Sequence, residues 1–446
     1  MAIKVRKKCR RQARAGVALV MTAVGALGVA TVPGPGAWAQ DDETDTADAP
    51  RSQRDADAVR DTGASGLVVR TEDGAGRVRQ AWSGVADMDE GGRIPFDAYY
   101  RIGSDTKTFV AVVALQLVSE GTLRLDDTVE KWLPGMVDGH GNDGSRITVR
   151  DLLQHTSGLA DYTDVLFGDP ADLTPERFRS QRFTARTPEQ QVALAMSRPP
   201  GWLPEADASK KPEKETRWAY SNTNYVLTGL IIERVTGSPW AQEVHERIIE
   251  PLGLRHTLTL GTSAYVPRPT ATAYTQFPGR DDLTDTTVSV DGGADGGIVS
   301  TTADMNTFLR ALMTGALLPA DQLKQMRTTV PAPGMAASDE ARYGLGIAWR
   351  PAEGCDHGVW YHGGTSFGTV SEAAVTPDGR ASAAAAVFTT RYGDKQRFTD
   401  QVAATIRLIR QGRMRRAPLA HARVLDGACP GSTRCPGRGW GPVQAL

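Results

Sequence analysis

Strand-forming segments stand near the two ends of the folding region and helices lie between them, and this distribution restricts the fold more than any other feature. From Gly66, "GLVVRTEDGAGRVRQAWSGVADM" holds two β-leaning runs around the turn signal Glu72-Asp73-Gly74, which predicts a hairpin. From Tyr343, "YGLGIAWR", "GVWYHGG", "TVSEAAVTP" and "ASAAAAVFTT" are strand-like runs separated by turns, with Pro377-Asp378-Gly379 the clearest. Between them, "SDTKTFVAVVALQLVSEG" is apolar on nearly all sides, opens at a capping residue, Ser104, and stops at Gly121, as a buried helix does. The middle, from about Asp161 to Leu260, reads as helix and loop, and "STTADMNTFLRALMTGAL" as a capped helix. One sheet assembled from both chain ends, with a helical region inserted, accounts for this order.

The flanks carry different signals. Seven basic residues, Lys4 to Arg14, precede an apolar run from Ala15 to Thr31, and Ala37-Trp38-Ala39 places small residues where a signal peptidase reads. The expectation is a cleaved signal peptide over 1–39, secretion to the extracellular space or cell wall, and no stable membrane span after cleavage. Residues 40–65 are acidic and poor in apolar side chains, and read as a disordered linker. The folded domain is then expected over 66–412, followed by an irregular basic, Pro/Gly-rich tail over 413–446.

Cleavage after Ala39 removes seven positive charges and no acids, so the net charge of −1 becomes −8. Such a surface argues against nucleic acid as a partner. Three cysteines remain, Cys355, Cys429 and Cys435, enough for one disulfide whose pairing the spacing leaves open. The histidines show no metal-ligand spacing, so no metal and no cofactor are expected.

Chemistry enters at "RIGSDTKTF", Arg101 to Phe109. With 20 serines and 10 lysines in the chain, roughly 0.4 S-x-x-K matches arise by chance, and Ser104 carries the only one. At a helix start, Ser104 and Lys107 share a face, and the exposed N–H groups favour a developing oxyanion. A serine hydroxyl needs a base, and a lysine kept neutral by burial can act as one.

Two further segments give that pair a context: "WAYSNTNY" with Tyr220 and Asn222, and "WYHGGTSFG" with His362, Gly363, Gly364 and Thr365. In order and setting, the three segments resemble the S-x-x-K, Y-x-N and [KH]-x-G motifs of the serine β-lactamase and penicillin-binding-protein hydrolases. The branch of the D-alanyl-D-alanine carboxypeptidases and class C β-lactamases is the most similar, and the resemblance spans about Gly66 to Gly412. It implies an α+β, β-lactamase/transpeptidase-like fold: an antiparallel sheet from both chain ends, flanked by helices, with an inserted mainly helical region.

By that resemblance Ser104 is the acylated nucleophile, Lys107 its proton partner, and Tyr220 a tyrosinate-like base lowered in pKa by Lys107 and His362. Asn222 holds the substrate amide. The N–H groups of Ser104 and Thr365 form the oxyanion hole beside Gly363 and Gly364. The substrate expected is a small peptide, ester or β-lactam, cell-wall peptide included, and the first expectation is a D-alanyl-D-alanine carboxypeptidase or related D-amino-acid peptidase. An esterase, a class C-type β-lactamase and a catalytically inactive penicillin-binding-like protein are the alternatives.

Two positions depart from the carboxypeptidase pattern: Gly363 stands where Thr is usual, and Ala348 where an Arg helps hold a substrate carboxylate. Arg350 is near enough in sequence to substitute. "GTSFG", Gly364 to Gly368, also matches a nucleophile elbow at Ser366, but a β-like run follows where that motif needs a helix. "GHGNDG", Gly139 to Gly144, has no preceding strand and reads as a surface turn.

Overall fold

The computed structural model describes residues 49–169, 172–205, 216–335, 340–352 and 355–411. The expected leader and tail, Cys429, Cys435 and the side chain of Cys355 lie outside what is described.

Helix α1 (Ala49–Arg60) corrects the expectation of a disordered linker, which covered these residues. The segment is polar, but Ala56 and Val59 fall one turn apart and are fully buried, and Gln53 Nε2 donates to the Trp82 carbonyl. Two small apolar contacts were too sparse to register as a helical period.

Strands β1 (Gly66–Glu72) and β2 (Val78–Gly84) form the expected hairpin. Its turn is closed by Asp73 Oδ1, which accepts the N–H groups of Ala75 and Arg77. Helix α2 (Thr106–Ser119) follows, then α3 (Val149–Gln154), α4 (Tyr162–Phe167), α5 (Pro175–Gln181), α6 (Pro188–Met196), α7 (Thr223–Thr236) and α8 (Thr302–Met313). The chain then enters β3 (Val330–Pro331), β4 (Arg342–Tyr343), β5 (Ala348–Ala352), β6 (Cys355–Ser366), β7 (Thr369–Val375) and β8 (Ser382–Val387), and closes with α9 (Lys395–Gln411).

These eight strands make one antiparallel sheet in the order β3-β4-β5-β6-β7-β8-β1-β2. Leu67 pairs with Val387, so the two chain ends meet inside the sheet. Alternation along each strand feeds two cores. Leu67, Val69, Ala383 and Ala385 join the layer that includes Ala56 of α1 and Leu408 of α9. Val68, Ala384 and Ala386 join the layer of α2 and α8. The alanines of β8 let helices approach from both faces.

Helix α2 is buried from Thr106 through Leu115, and Phe109 stacks on Phe308 of α8 with ring centroids 3.6 Å apart. Burying side chains of this size contributes about 2 kcal/mol each, which fixes the start of α2 against the sheet. "GHGNDG" forms a two-stranded turn, Asp138–Gly139 against Asn142–Asp143. "GTSFG" is the tight hairpin between β6 and β7, with Gly368 at φ +76, so no helix follows Ser366.

Candidate active site

Ser104 sits in a 3-10 turn, Gly103–Asp105, just ahead of α2. The expectation that it caps α2 is corrected: Asp105 holds the cap position and makes no side-chain cap bond. The Ser104 hydroxyl instead lies 3.0 Å from Lys107 Nζ. The turn is pinned from below, where the Ser371 hydroxyl of β7 sits 2.6 Å from Asp105 Oδ2 and 2.8 Å from the Ile102 carbonyl.

Glycines let β6 approach this turn. Gly103 has φ +51, and a Cβ there would stand 2.8 Å from Thr365 N. A side chain at Gly364 would fall on the Ile102 carbonyl oxygen. The backbones of Ser104's neighbour and Thr365 are therefore almost in contact, the arrangement a two-donor oxyanion site requires.

Lys107 is fully buried and donates to three neutral oxygens: Ser104 Oγ, Asn222 Oδ1 at 2.7 Å and the Asp295 carbonyl at 2.7 Å. Burial lowers its pKa to about 8, and the fields of Asp295, Asp161, Asp291 and Asp105 oppose that shift. A lysine of this kind is partly neutral near pH 8 and can take the Ser104 proton.

Asn222 precedes α7 and is oriented by Asp161, a residue the motif pattern does not contain. Asp161 Oδ2 accepts both the backbone N–H and Nδ2 of Asn222, at 3.1 and 2.9 Å, which turns Oδ1 toward Lys107. Nδ2 keeps a second hydrogen for a ligand carbonyl.

Tyr220 packs on His155, with ring centroids 4.3 Å apart, and its ring centroid lies 5.0 Å from Lys107 Nζ. Its hydroxyl is buried beside Ser104: the contact tempers its pKa but is not a well-aligned hydrogen bond, and no described group satisfies the phenol. Burial raises its pKa well above the ordinary value, and Tyr343 adds to the rise. The expected tyrosinate-like lowering is therefore reversed, and Tyr220 is a neutral phenol. His155, at the left-handed end of α3, accepts the Ser221 N–H at Nδ1 and is held neutral by burial, a packing role.

His362 does not supply the expected opposing charge. It was expected to tune Tyr220 as a cation, yet burial, reinforced by Lys107, lowers its pKa to about 3. Nδ1 donates to the Gly363 carbonyl at 2.7 Å, so Nε2 accepts the Tyr343 hydroxyl at 3.0 Å. The neutral ring is engaged with Tyr343 rather than Tyr220.

Arg350 does not substitute for the missing carboxylate-binding arginine. It is buried at 2% exposure, pairs with Glu372 at 2.6 Å and lies over the Tyr361 ring, and Tyr361 belongs to the core layer of α1 and α9. A Cβ at Gly363 would point the same way, 2.7 Å from Glu372 Oε2. Neither residue can reach a substrate carboxylate.

Ser104, Tyr220, Asn222, His362, Gly363 and Thr365 border one cleft of about 1210 Å³, with Lys107 and Gly364 just beneath its surface. Elsewhere on the wall of this cleft, Phe167 and Phe178 pack on Phe367 at 5.8 and 4.9 Å, and Tyr392 flanks Phe367 at 5.7 Å. Ser366 Oγ donates to Asp291 Oδ2 at 2.7 Å beside this aromatic wall. Among the described residues no His, Cys, Asp and Glu side chains group in a way that would hold a metal ion.

The Beta-lactamase family model matches residues 51–407. A D-stereospecific amidohydrolase from Streptomyces sp. superimposes with a TM-score of 0.69 at 38% identity, over 80% of this chain and 98% of that one. A D-amino acid amidase from Ochrobactrum anthropi SV3 shares the fold, with a TM-score of 0.65 at 24% identity over 81% of this chain and 97% of that one. Penicillin-binding protein 4 of Amycolatopsis lactamdurans is 29% identical over 189 residues, 42% of this chain, and the match spans only 43% of that relative's length.

Proposed function

The chain belongs to the beta-lactamase family of serine hydrolases, and from that premise we propose that it cleaves D-aminoacyl amides through an acyl-enzyme on Ser104, rather than acting as a D-alanyl-D-alanine carboxypeptidase. The observation that carries this reading is the position of Arg350. A carboxypeptidase must hold a substrate carboxylate, and Arg350, the arginine nearest in sequence to the position that usually supplies that cation, is committed to Glu372 behind the sheet. The likeness to the Streptomyces D-stereospecific amidohydrolase supports the D-aminoacyl class.

In this reading neutral Lys107 takes the Ser104 proton as Oγ attacks the acyl carbon, and the N–H groups of Ser104 and Thr365 receive the oxyanion. Collapse expels the amine, which needs a proton. The un-ionised Tyr220 phenol beside Ser104 supplies it and is recharged from Lys107. Water then repeats the sequence on the ester, with Lys107 accepting its proton, and frees the acid and Ser104.

Ammonia release from D-phenylalaninamide, compared with L-phenylalaninamide and with D-alanine release from a peptide ending in D-Ala-D-Ala, tests this. The D-amide is expected to have the highest kcat/KM. Faster turnover of the D-Ala-D-Ala peptide would reverse the assignment.

A further inference from the structure

Four carboxylates act on Lys107, and three are committed to neighbours. Asp105 is bound to Ser371, Asp161 to Asn222, and Asp295 Oδ2 accepts the Tyr162 hydroxyl at 2.9 Å. Asp291 lines the cleft and, unlike Asp105 and Asp295, is only partly buried, with Ser366 on its Oδ2 and no hydrogen-bonding or ion-pairing partner for Oδ1 among the described residues. The cations that act on it make their hydrogen bonds elsewhere: Arg101 Nη2 donates to the carbonyls of Ala264 and Ser289, with Nη1 left unpartnered among the described residues, and Lys107 donates to its three oxygens.

Its place beside the residue that precedes the nucleophile suits one ligand group. A Cβ at Gly296 would lie 3.6 Å from Asp291 Oδ1 and 3.9 Å from Gly103 Cα, so the carboxylate and the residue before the nucleophile flank the same small space. In an aminoacyl group the α-nitrogen is two bonds, about 2.5 Å, from the attacked carbon. An α-ammonium that reaches into this space meets the carboxylate in a charge-assisted hydrogen bond.

We propose that Asp291 is the subsite for the α-ammonium of an aminoacyl substrate, with Ser366 holding its other oxygen and the Phe367 wall receiving the substrate side chain. This rests on the acyl-transfer reading of Ser104 and narrows it: the substrate has a free amino terminus, and N-acylated analogues leave Asp291 desolvated without a partner.

The test follows protection of Ser104 from a fluorophosphonate label. D-Phenylalaninol, which has the ammonium but no acyl carbon, competes against N-acetyl-D-phenylalaninol, and the ratio of the two protecting concentrations is read within each protein, so changes in labelling rate cancel. In the native protein D-phenylalaninol is expected to protect at a concentration about tenfold or more below that of the acetylated alcohol, as a charged hydrogen bond implies. Asp291→Asn is expected to bring the ratio near one, and Asp291→Glu to restore part of it, with melting curves showing that each variant is folded. A ratio near one in the native protein, or a native ratio kept in Asp291→Asn, overturns the assignment. Loss of ammonia release from D-phenylalaninamide with the protection ratio intact would sink the amidase reading alone.

Discussion

Lys107 Nζ stands 3.0 Å from Ser104 Oγ, and its hydrogen-bond acceptors among the described residues are all neutral oxygens. Buried without a carboxylate in ion-pair contact, the amine titrates at about 8, so it is protonated and inactive as a base below that pH and neutral above it. Acylation of Ser104 is therefore expected to rise about tenfold per pH unit toward 8 and then level off. Stopped-time labelling with a fluorophosphonate across pH 5.5 to 10 measures it. Lys107→Arg, whose guanidinium stays charged, is expected to lose about a thousandfold with no such limb.

Tyr220 is a neutral phenol, so its use is to give a proton rather than take one. Amides need a protonated leaving group and activated aryl esters do not. Tyr220→Phe is expected to lower kcat/KM for D-phenylalaninamide by about a hundredfold, and for the p-nitrophenyl ester of D-phenylalanine by no more than about threefold. Equal losses on both substrates would show that Tyr220 acts before the leaving-group step.

His362 has a pKa near 3 and a ring fixed between Gly363 and Tyr343. The pH–rate profile should carry no limb near the ordinary histidine value, about 6.5. A limb there that vanishes in His362→Gln would show that the ring does charge in the working site.

Arg350 and Glu372 are a buried pair behind the sheet. Removing one partner strands a charge, so Arg350→Met is expected to cost about 3–5 kcal/mol in denaturant unfolding, with much of it recovered in Arg350→Met/Glu372→Met. The double variant should leave the KM ratio between substrates with and without a C-terminal carboxylate unchanged. A selective rise in KM for the carboxylate-bearing substrate would place Arg350 in the site after all.

Much of this site was legible in sequence order. Ser104, Tyr220 and Asn222 stand just ahead of helices and His362 and Thr365 within β6, and the sheet built from both chain ends follows from where the strand-like runs lie. What escaped is what loops bring in. Asp161, Asp291 and Asp295 have no periodic setting, and Asp295 reaches Lys107 through its backbone carbonyl, which no side-chain motif records. The charge states escaped for a related reason: two cationic neighbours were expected around Tyr220, but burial discharges His362. Helix α1 was missed because Ala56 and Val59 alone carry its packed face. Arg350 looked available because sequence distance says nothing about which face of a strand a side chain takes.

The most direct measurement is the covalent intermediate itself. Protein mixed with D-phenylalanine methyl ester and quenched in acid within milliseconds should show, by mass spectrometry, one added D-phenylalanyl group on the peptide containing Ser104, and none in Ser104→Ala. An adduct on another residue, or product formed at an undiminished rate by Ser104→Ala, would contradict the account.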